Sequence, residues 1–533
     1  MLRKIWKKTK STISSKQGRN LNSSNQSHLE EIKISPDIDW NLKCIDQILG
    51  SSEDIITRPF DLGGGGQRAA IVYIDGLGDD YYIADIIMGM LMDTGPKLPK
   101  GYQNTMDYVA RRLLPAGEIK AVFSMGKVFK GVLSGTTALL LDGFASALII
   151  GTPPKAIGRR VEQPESENVV RGPRESFTEN LKTNMLLIRR ILKNPYLRIK
   201  THNIGVYTGT KVLVVYIEGL ADKNLVGEVN RRIKSIDIDG VLESGYIEQL
   251  IEDAPNSIFP TVGNTERPDR AAAGLLEGKV AIITDGSPVV LVAPWLFWNI
   301  LQTPEDYYSR PYTTSILRMI RLGAVLITMF LPAAYVALVS YQPEMLPTVL
   351  AITIAASREG IPFPTLVEIL LMGLVFESLR EAGVRLPRAV GQAVSIVGAL
   401  VIGDIAVSAG FFSAPGVVIT ALAGISSFAV PALIDAYIPI RLTTVVLSGF
   451  LGFYGLGLFM FVLLVHLCSL RSLGVPYLTP VSPMELSAWK DVFIRAPLWM
   501  MDRRPPGLSK GNKRRMARDM KPGPPPPGGG EKD

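Results

Sequence analysis

Apolar and polar positions divide this chain into two unlike halves. Over residues 317–467 charges are sparse, and apolar runs recur at about 20 residues, the length a helix needs to span a bilayer core. Over residues 1–280 charges are frequent and the apolar runs are short. The pattern predicts a soluble α/β region of two similar lobes, followed by an all-α polytopic membrane domain.

In the soluble half, residues 1–36 are rich in Ser, Asn, Gln and Lys and read as a disordered basic N-terminus. Residues 41–49 predict a short helix. AAIVYIDGL (69–77) predicts a strand, and 79–92 the helix after it. Residues 136–141 and 144–150 predict a hairpin around Asp142-Gly143, because Asp-Gly suits a tight turn between apolar runs. The pattern then recurs. YIDGLGD (73–79) matches YIEGLAD (216–222), GVLSG (131–135) matches GLLEG (274–278), and Asp142-Gly143 matches Asp285-Gly286, each 143 residues later. Three matches at one offset predict a duplicated unit. Lobe 1 is placed at 37–160, a Pro- and charge-rich linker at 161–174, and lobe 2 at 175–290. LKTNMLLIRRIL (181–192) has the period of an amphipathic helix, packed inside a lobe or on a neighbouring subunit. Arg189-Arg190 beside it read as a solvated face.

In the apolar half, residues 291–316 form an interfacial connector. Trp295, Phe297, Trp298, Tyr307, Tyr308 and Tyr312 suit the level of lipid headgroups. The membrane domain occupies 317–468, with a first span at 322–340. Residues 345–356 and 365–379 are apolar, but SREGIPFP breaks them apart, predicting a broken or re-entrant element tolerated only under protein or water cover. Its acids, Glu368 and Glu377, are functional candidates because charges in an apolar span are costly. Runs at 390–411, 417–434 and 442–468 complete five or six spans. Arg310, Arg318 and Arg321 before the first span place the N-terminal domain in the cytoplasm. An even count suits the basic C-terminal segment (469–533), but leaves Arg380, Arg385 and Arg388 on the outside, a conflict within the reading.

Composition narrows the chemistry. Net charge is +8, concentrated at the two ends, where basic residues beside spans suit anionic headgroups or plain solvation better than nucleic acid. No secretory signal opens the sequence. Cys44 and Cys468 fall in different halves and imply no disulfide framework. His28, His202 and His466 are far apart and imply no zinc site. Gly63 to Gly66 lack a phosphate loop's Lys-Ser/Thr ending, and no Gly-x-Ser-x-Gly elbow occurs. Asp75, Asp79, Asp142, Glu218, Asp222 and Asp285 read as turn and cap residues. No enzyme, cofactor or metal is predicted.

On a helix, Val394, Val397, Val401, Asp404 and Ser408 recur at spacings of 3, 4, 3 and 4 and form one stripe. In a ring of subunits, three valine layers would close by dewetting and an Asp404 ring would attract cations. The alternatives are a helix-packing seam with Asp404 paired to an arginine or a polar neighbour, or a face of Gln392, Ser395 and Ala399.

The stretch AASREGIPFPTLVEILLMGLVFESLREAGVRLPRAVGQAVSIVGALVIG closely resembles the signature region of A subunits of spore germinant receptors, the GerA family. PFDLGGGGQRAAIVYIDGL, VVRGPRESFTENLKTNMLLIRRIL and DAPNSIFPTVGNTERPDRAAAGLLEGKVAIITDGSPVVLVAP extend the resemblance over about residues 40–490. The resemblance implies a multi-pass protein of the endospore inner membrane acting with a transporter-like B subunit and a lipoprotein C subunit. It also implies a homo-oligomer, a pentamer, forming a nutrient-gated channel for monovalent cations. A non-conducting scaffold and a secondary transporter are the rival expectations.

Overall fold

A computed structural model of the chain describes residues 29–50, 52–62, 67–93, 105–114, 116–153, 163–164, 166–385, 398, 404–509, 511–517 and 520–523. Lobe 1 is a five-stranded antiparallel sheet in the order β1-β2-β4-β5-β3. Its strands are β1 Ile55–Leu62, β2 Gln67–Ile74, β3 Ile119–Val122, β4 Thr137–Leu141 and β5 Ala147–Ile150. Lobe 2 repeats the order as β6-β7-β9-β10-β8, with β6 Leu197–Ile204, β7 Thr210–Ile217, β8 Gly263–Thr265, β9 Val280–Thr284 and β10 Val290–Ala293. Register repeats as well: Ile71 pairs with Leu139, and Val214 with Ile282, each partner 143 residues on. The inner strands TALLL and VAIIT are buried throughout, as strands covered on both faces should be.

Helices repeat at the same offset. In lobe 1, α1 Ile38–Leu49 and α2 Met125–Val132 cover one sheet face. In lobe 2, α3 Leu181–Ile191 and α6 Pro268–Glu277 take their places. The opposite face of lobe 2 carries α4 Lys223–Lys234 and α5 Ser244–Ile251. Asp37 caps α1 by accepting from Asp39 N, Asn180 caps α3, and Asp222 caps α4. Gly143 and Gly286 hold the equivalent turns at φ 85° and 83°, where a side chain would be strained. The expected helix at 79–92 is instead a π-helical turn, Tyr82–Met88, followed by Gly89–Asp93. The described chain begins before the expected boundary at 37, and Ile34 lies in the lobe 1 core.

The lobes meet through α3. Leu186 enters the lobe 1 core while Leu187 and Ile188 enter that of lobe 2. Arg189 is fully buried and donates to both oxygens of Asp54, at 2.8 and 3.0 Å. Of the solvated face expected there, Arg189 is instead an inter-lobe ion pair, because the amphipathic helix has apolar partners on two sides, while Arg190 stays half-exposed beside Glu175. Arg198 joins the seam by donating to Glu218 and to the carbonyls of Ile48 and Leu49.

Lobe 2 continues directly into the helices. Trp295 and Phe297 are buried in one apolar cluster with Val215, Leu275, Met329, Leu433 and Tyr477. They are core residues here, not the headgroup belt that their composition predicts; among the expected belt residues Tyr312 is the most exposed. Two short helices, α7 Phe297–Leu301 and α8 Glu305–Tyr308, lead to α9 Pro311–Tyr341. Then follow α10 Thr348–Arg358, α11 Thr365–Arg385, α12 Ala414–Ser427 and α13 Ile434–Ser469. The break between α10 and α11 falls where SREGIPFP predicts it.

The run 442–468, expected as one span, belongs to a longer object that folds back on itself. Inside α13, Gly452 has φ 57° and ψ −144°, outside the helical region. Leu433 and Tyr437 begin α13 beside lobe 2; Gly452 sits against Tyr341; and His466 Nε2 shares a hydrogen bond of 3.0 Å with Ser257 Oγ of lobe 2. The arms 434–451 and 453–469 are therefore antiparallel, each about 26 Å long at 1.5 Å per residue.

Placement of the other helices follows. α9 starts at lobe 2, where Arg321 donates to Leu301 O, and ends at the hairpin tip, where the Tyr341 hydroxyl donates to Gly449 O at 2.7 Å. α11 starts at the tip, Leu366 against Gly449, and runs toward lobe 2, Glu377 meeting Arg441. α12 runs the same way, from Ser413 beside Glu368 to Ala423, whose carbonyl accepts from Thr328. Arg385 thus ends α11 on the lobe side, and Ala414 begins α12 on the far side.

Candidate functional site

Glu368 is completely buried. Its Oε1 accepts from Ser413 N at 2.6 Å and Ser413 Oγ at 2.5 Å. Ser413 caps α12, so the carboxylate faces the positive end of that helix. Gly416 completes the cradle: a Cβ there would lie 2.6 Å from Oε1. Arg358, in the last turn of α10, comes within 3.8 Å of Oε2 and donates to Thr365 Oγ1. The ends of three helices converge on this carboxylate. Glu377, nine residues on, is paired twice, with Arg380 at 2.6 Å and with buried Arg441. Both acids chosen from the sequence thus hold arginines inside the bundle.

The predicted stripe is only partly in view. Val394, Val397 and Val401 lie outside the described residues. Asp404 and Ser408 are exposed on the bundle, and among the described residues Asp404 forms no ion pair.

Sequence reasoning missed a second charged site, at the junction of lobe 2 and the helices. Asp306 and Arg318 are each 2% exposed. Arg318 donates through Nε to Asp306 Oδ2 at 2.9 Å and through Nη1 to Asp491 Oδ1 at 2.9 Å. Arg321 donates to both Asp306 oxygens, and the Tyr307 hydroxyl donates to Asp491 Oδ2 at 2.8 Å. Burial pushes the Asp306 carboxyl up, but the hydrogen bonds from Arg321 and Arg318 outweigh it and hold the group below the usual range. Burial wins at Asp491, which sits above the usual range despite Arg318 beside it. The arginines were visible in the sequence as topology signals. Their partner Asp491 lies 173 residues from Arg318, and nothing local marks it.

This architecture has relatives. The family model described as Bacillus/Clostridium GerA spore germination protein matches residues 43–506. The chain belongs to the GerA family. It is 44% identical over 498 residues to spore germination protein KA of Bacillus subtilis (strain 168), covering 92% of this chain and 90% of that one. It is 39% identical over 468 residues to spore germination protein GerLA of Bacillus cereus, covering 87% and 94%. The crystal structure of the N-terminal domain of the A subunit of the Bacillus megaterium spore germinant receptor GerK3 aligns with 50% of this chain and 97% of that one. That pair is 36% identical, with a TM-score of 0.41. The GerA match runs through both lobes, the helices and the C-terminal segment to residue 506, so the two charged sites lie inside the shared region.

Proposed function

We propose that the chain is the A subunit of a nutrient germinant receptor in the spore inner membrane, oligomerising as a ring of five into a nutrient-gated cation channel. The observation that carries this reading is Asp404. A carboxylate on the outside of an apolar helix bundle, with no ion-pair partner among the described residues, is costly against lipid. A water-filled axis shared between copies removes that cost, and an acid ring there attracts cations. Val394, Val397 and Val401 supply the constriction. The B subunit binds the nutrient and the C subunit completes the complex.

Among the described helices, α9, α11 and the two arms of α13 each run between the lobe side and the far side of the bundle. At 11 and 14 residues, about 16 and 21 Å, α10 and α12 are too short to cross by themselves. Arg380 and Arg385 then fall on the lobe side with Arg318 and Arg321. This supports a reading with lobes and C-terminus in the cytoplasm.

The test is cation flux through liposomes carrying the full chain, with and without its B and C subunits. The expected result is nutrient-dependent flux that Asp404→Asn lowers about tenfold, a change of roughly 1.4 kcal/mol in the barrier. Val397→Ala or Val401→Ala should conduct without nutrient. Tight vesicles throughout would favour a non-conducting scaffold, a reading to which the doubly paired Glu377 lends support.

A further inference from the structure

After α13 the chain turns back across lobe 2. Arg471–Ser472 pairs with Val475–Pro476, and Ser472 Oγ accepts from Trp295 N at 2.9 Å. Residues 490–495 then lie along the first turns of α9: Arg495 N donates to Ser315 Oγ at 3.1 Å, and Asp491 holds Arg318. Beyond them the chain folds over itself, Arg503 pairing with Arg514, and Arg504 Nε donating to Leu276 O at 2.8 Å. The segment is fixed on its inner side by these bonds. Its outer side exposes large apolar residues: Leu486 is 68% exposed, Ile494 62% and Leu498 50%.

We propose that this outer side is a membrane anchor, with Ile494, Leu498 and Trp499 set into the boundary of an anionic bilayer and the basic residues of the same segment on lipid phosphates. The proposal rests on the bilayer placement of α9. Depth supports it. Ser315 precedes the apolar run that begins at Leu322 by seven residues, about 10 Å of helix, which is headgroup level. Continuity supports it too, since Ile316 and Ile320, beside Ser315 on α9, are themselves 63% and 60% exposed. Charge decides between lipid and a protein partner. Residues 484–521 contain ten Lys and Arg against four Asp and Glu. Among them Arg503, Lys513, Arg515 and Lys521 are exposed, and Lys521 Nζ lies 5.3 Å over the Trp499 ring. Protein interfaces are poor in lysine, whereas apolar rings beside lysines and arginines are what an anionic interface binds.

The experiment uses the full chain in nanodiscs, with Cys44 and Cys468 replaced by serine. A nitroxide is placed on Ile494→Cys, on Leu326→Cys within α9 and on Tyr207→Cys in lobe 2. Collision with oxygen, which concentrates in lipid, is compared with collision with an aqueous nickel chelate. In phosphatidylcholine with phosphatidylglycerol, the oxygen-to-nickel ratio at 494 should be several-fold above that at 207. It should fall toward the 207 value in phosphatidylcholine alone, or when Arg503, Lys513 and Arg515 are changed to Glu. Three results overturn the anchor while 326 still reports lipid. These are an aqueous 494, a 494 shielded from both probes by protein, or a depth indifferent to lipid charge and to the reversals. An aqueous 326 would instead overturn the bilayer placement of α9.

Discussion

Glu248 on α5 shows how far one side chain can be moved from its usual chemistry. Burial, with Glu252 and Glu243 nearby, pushes its carboxyl up to about 7 from the ordinary 4.5. An acid whose folded value is raised binds its proton more tightly folded than unfolded. Its contribution is favourable below pH 4.5 and is lost as pH rises toward 7. Glu248→Gln should flatten that slope and stabilise the chain at pH 8 by about 3 kcal/mol, since a tenfold change in proton affinity is worth roughly 1.4 kcal/mol. Thermal unfolding in detergent at pH 5 and pH 8 measures it; parallel curves for both proteins would refute it. Glu368→Gln should act in the opposite sense. It keeps the shape that meets Ser413 but leaves Arg358, 3.8 Å away and partly exposed, without its charge, at a cost of about 1–3 kcal/mol. Lower melting temperature and weaker expression would report that loss. Glu368 and Glu377 were legible as acids in apolar sequence. Their partners Ser413 and Arg441 were not, being 45 and 64 residues away.

At the scale of elements, the duplication was legible because three short motifs kept one offset, and strand order and register follow it. The edge strands β1 and β6 escaped notice. TRPFD and RIKTHN are polar, as suits strands paired on one side, and carry little apolar alternation. The α10–α11 break was legible from Pro362 and Pro364. The reversal in α13 was not, since a continuous apolar run looks the same whether straight or folded in two. Gly452 makes that difference. A Cβ there would be strained at φ 57° and would meet Tyr341 Cγ at 3.1 Å. Gly452→Ala should therefore cost about 1–3 kcal/mol, the usual scale for such backbone strain. The loss should appear as protease cleavage in the 453–469 arm at temperatures where the parent resists. Equal resistance would mean that the turn tolerates a side chain.

At the scale of the molecule, the Asp306–Arg318–Asp491 cluster joins lobe 2, α9 and the C-terminal segment. Arg318→Ala removes the shared cation, leaving Asp306 with a single arginine, Arg321, and the partly exposed Asp491 with the Tyr307 hydroxyl, at a cost of about 3 kcal/mol. Limited proteolysis should then release residues beyond 484 from an otherwise intact chain, and spores carrying the variant should respond more slowly to nutrient at equal protein level. Arg318→Lys, which keeps the charge but loses the fork, should fall between. Normal retention of the segment in Arg318→Ala would show that the apolar contacts suffice. The α13 hairpin adds a mechanical constraint at this scale. Leu433 at one foot and His466 at the other both rest on lobe 2 or its core. A staple with both feet on one body cannot have its legs slid past each other by that body, because any push on one leg is matched on the other. Lobe 2 therefore moves the two arms together, as a unit, against α9 and α11.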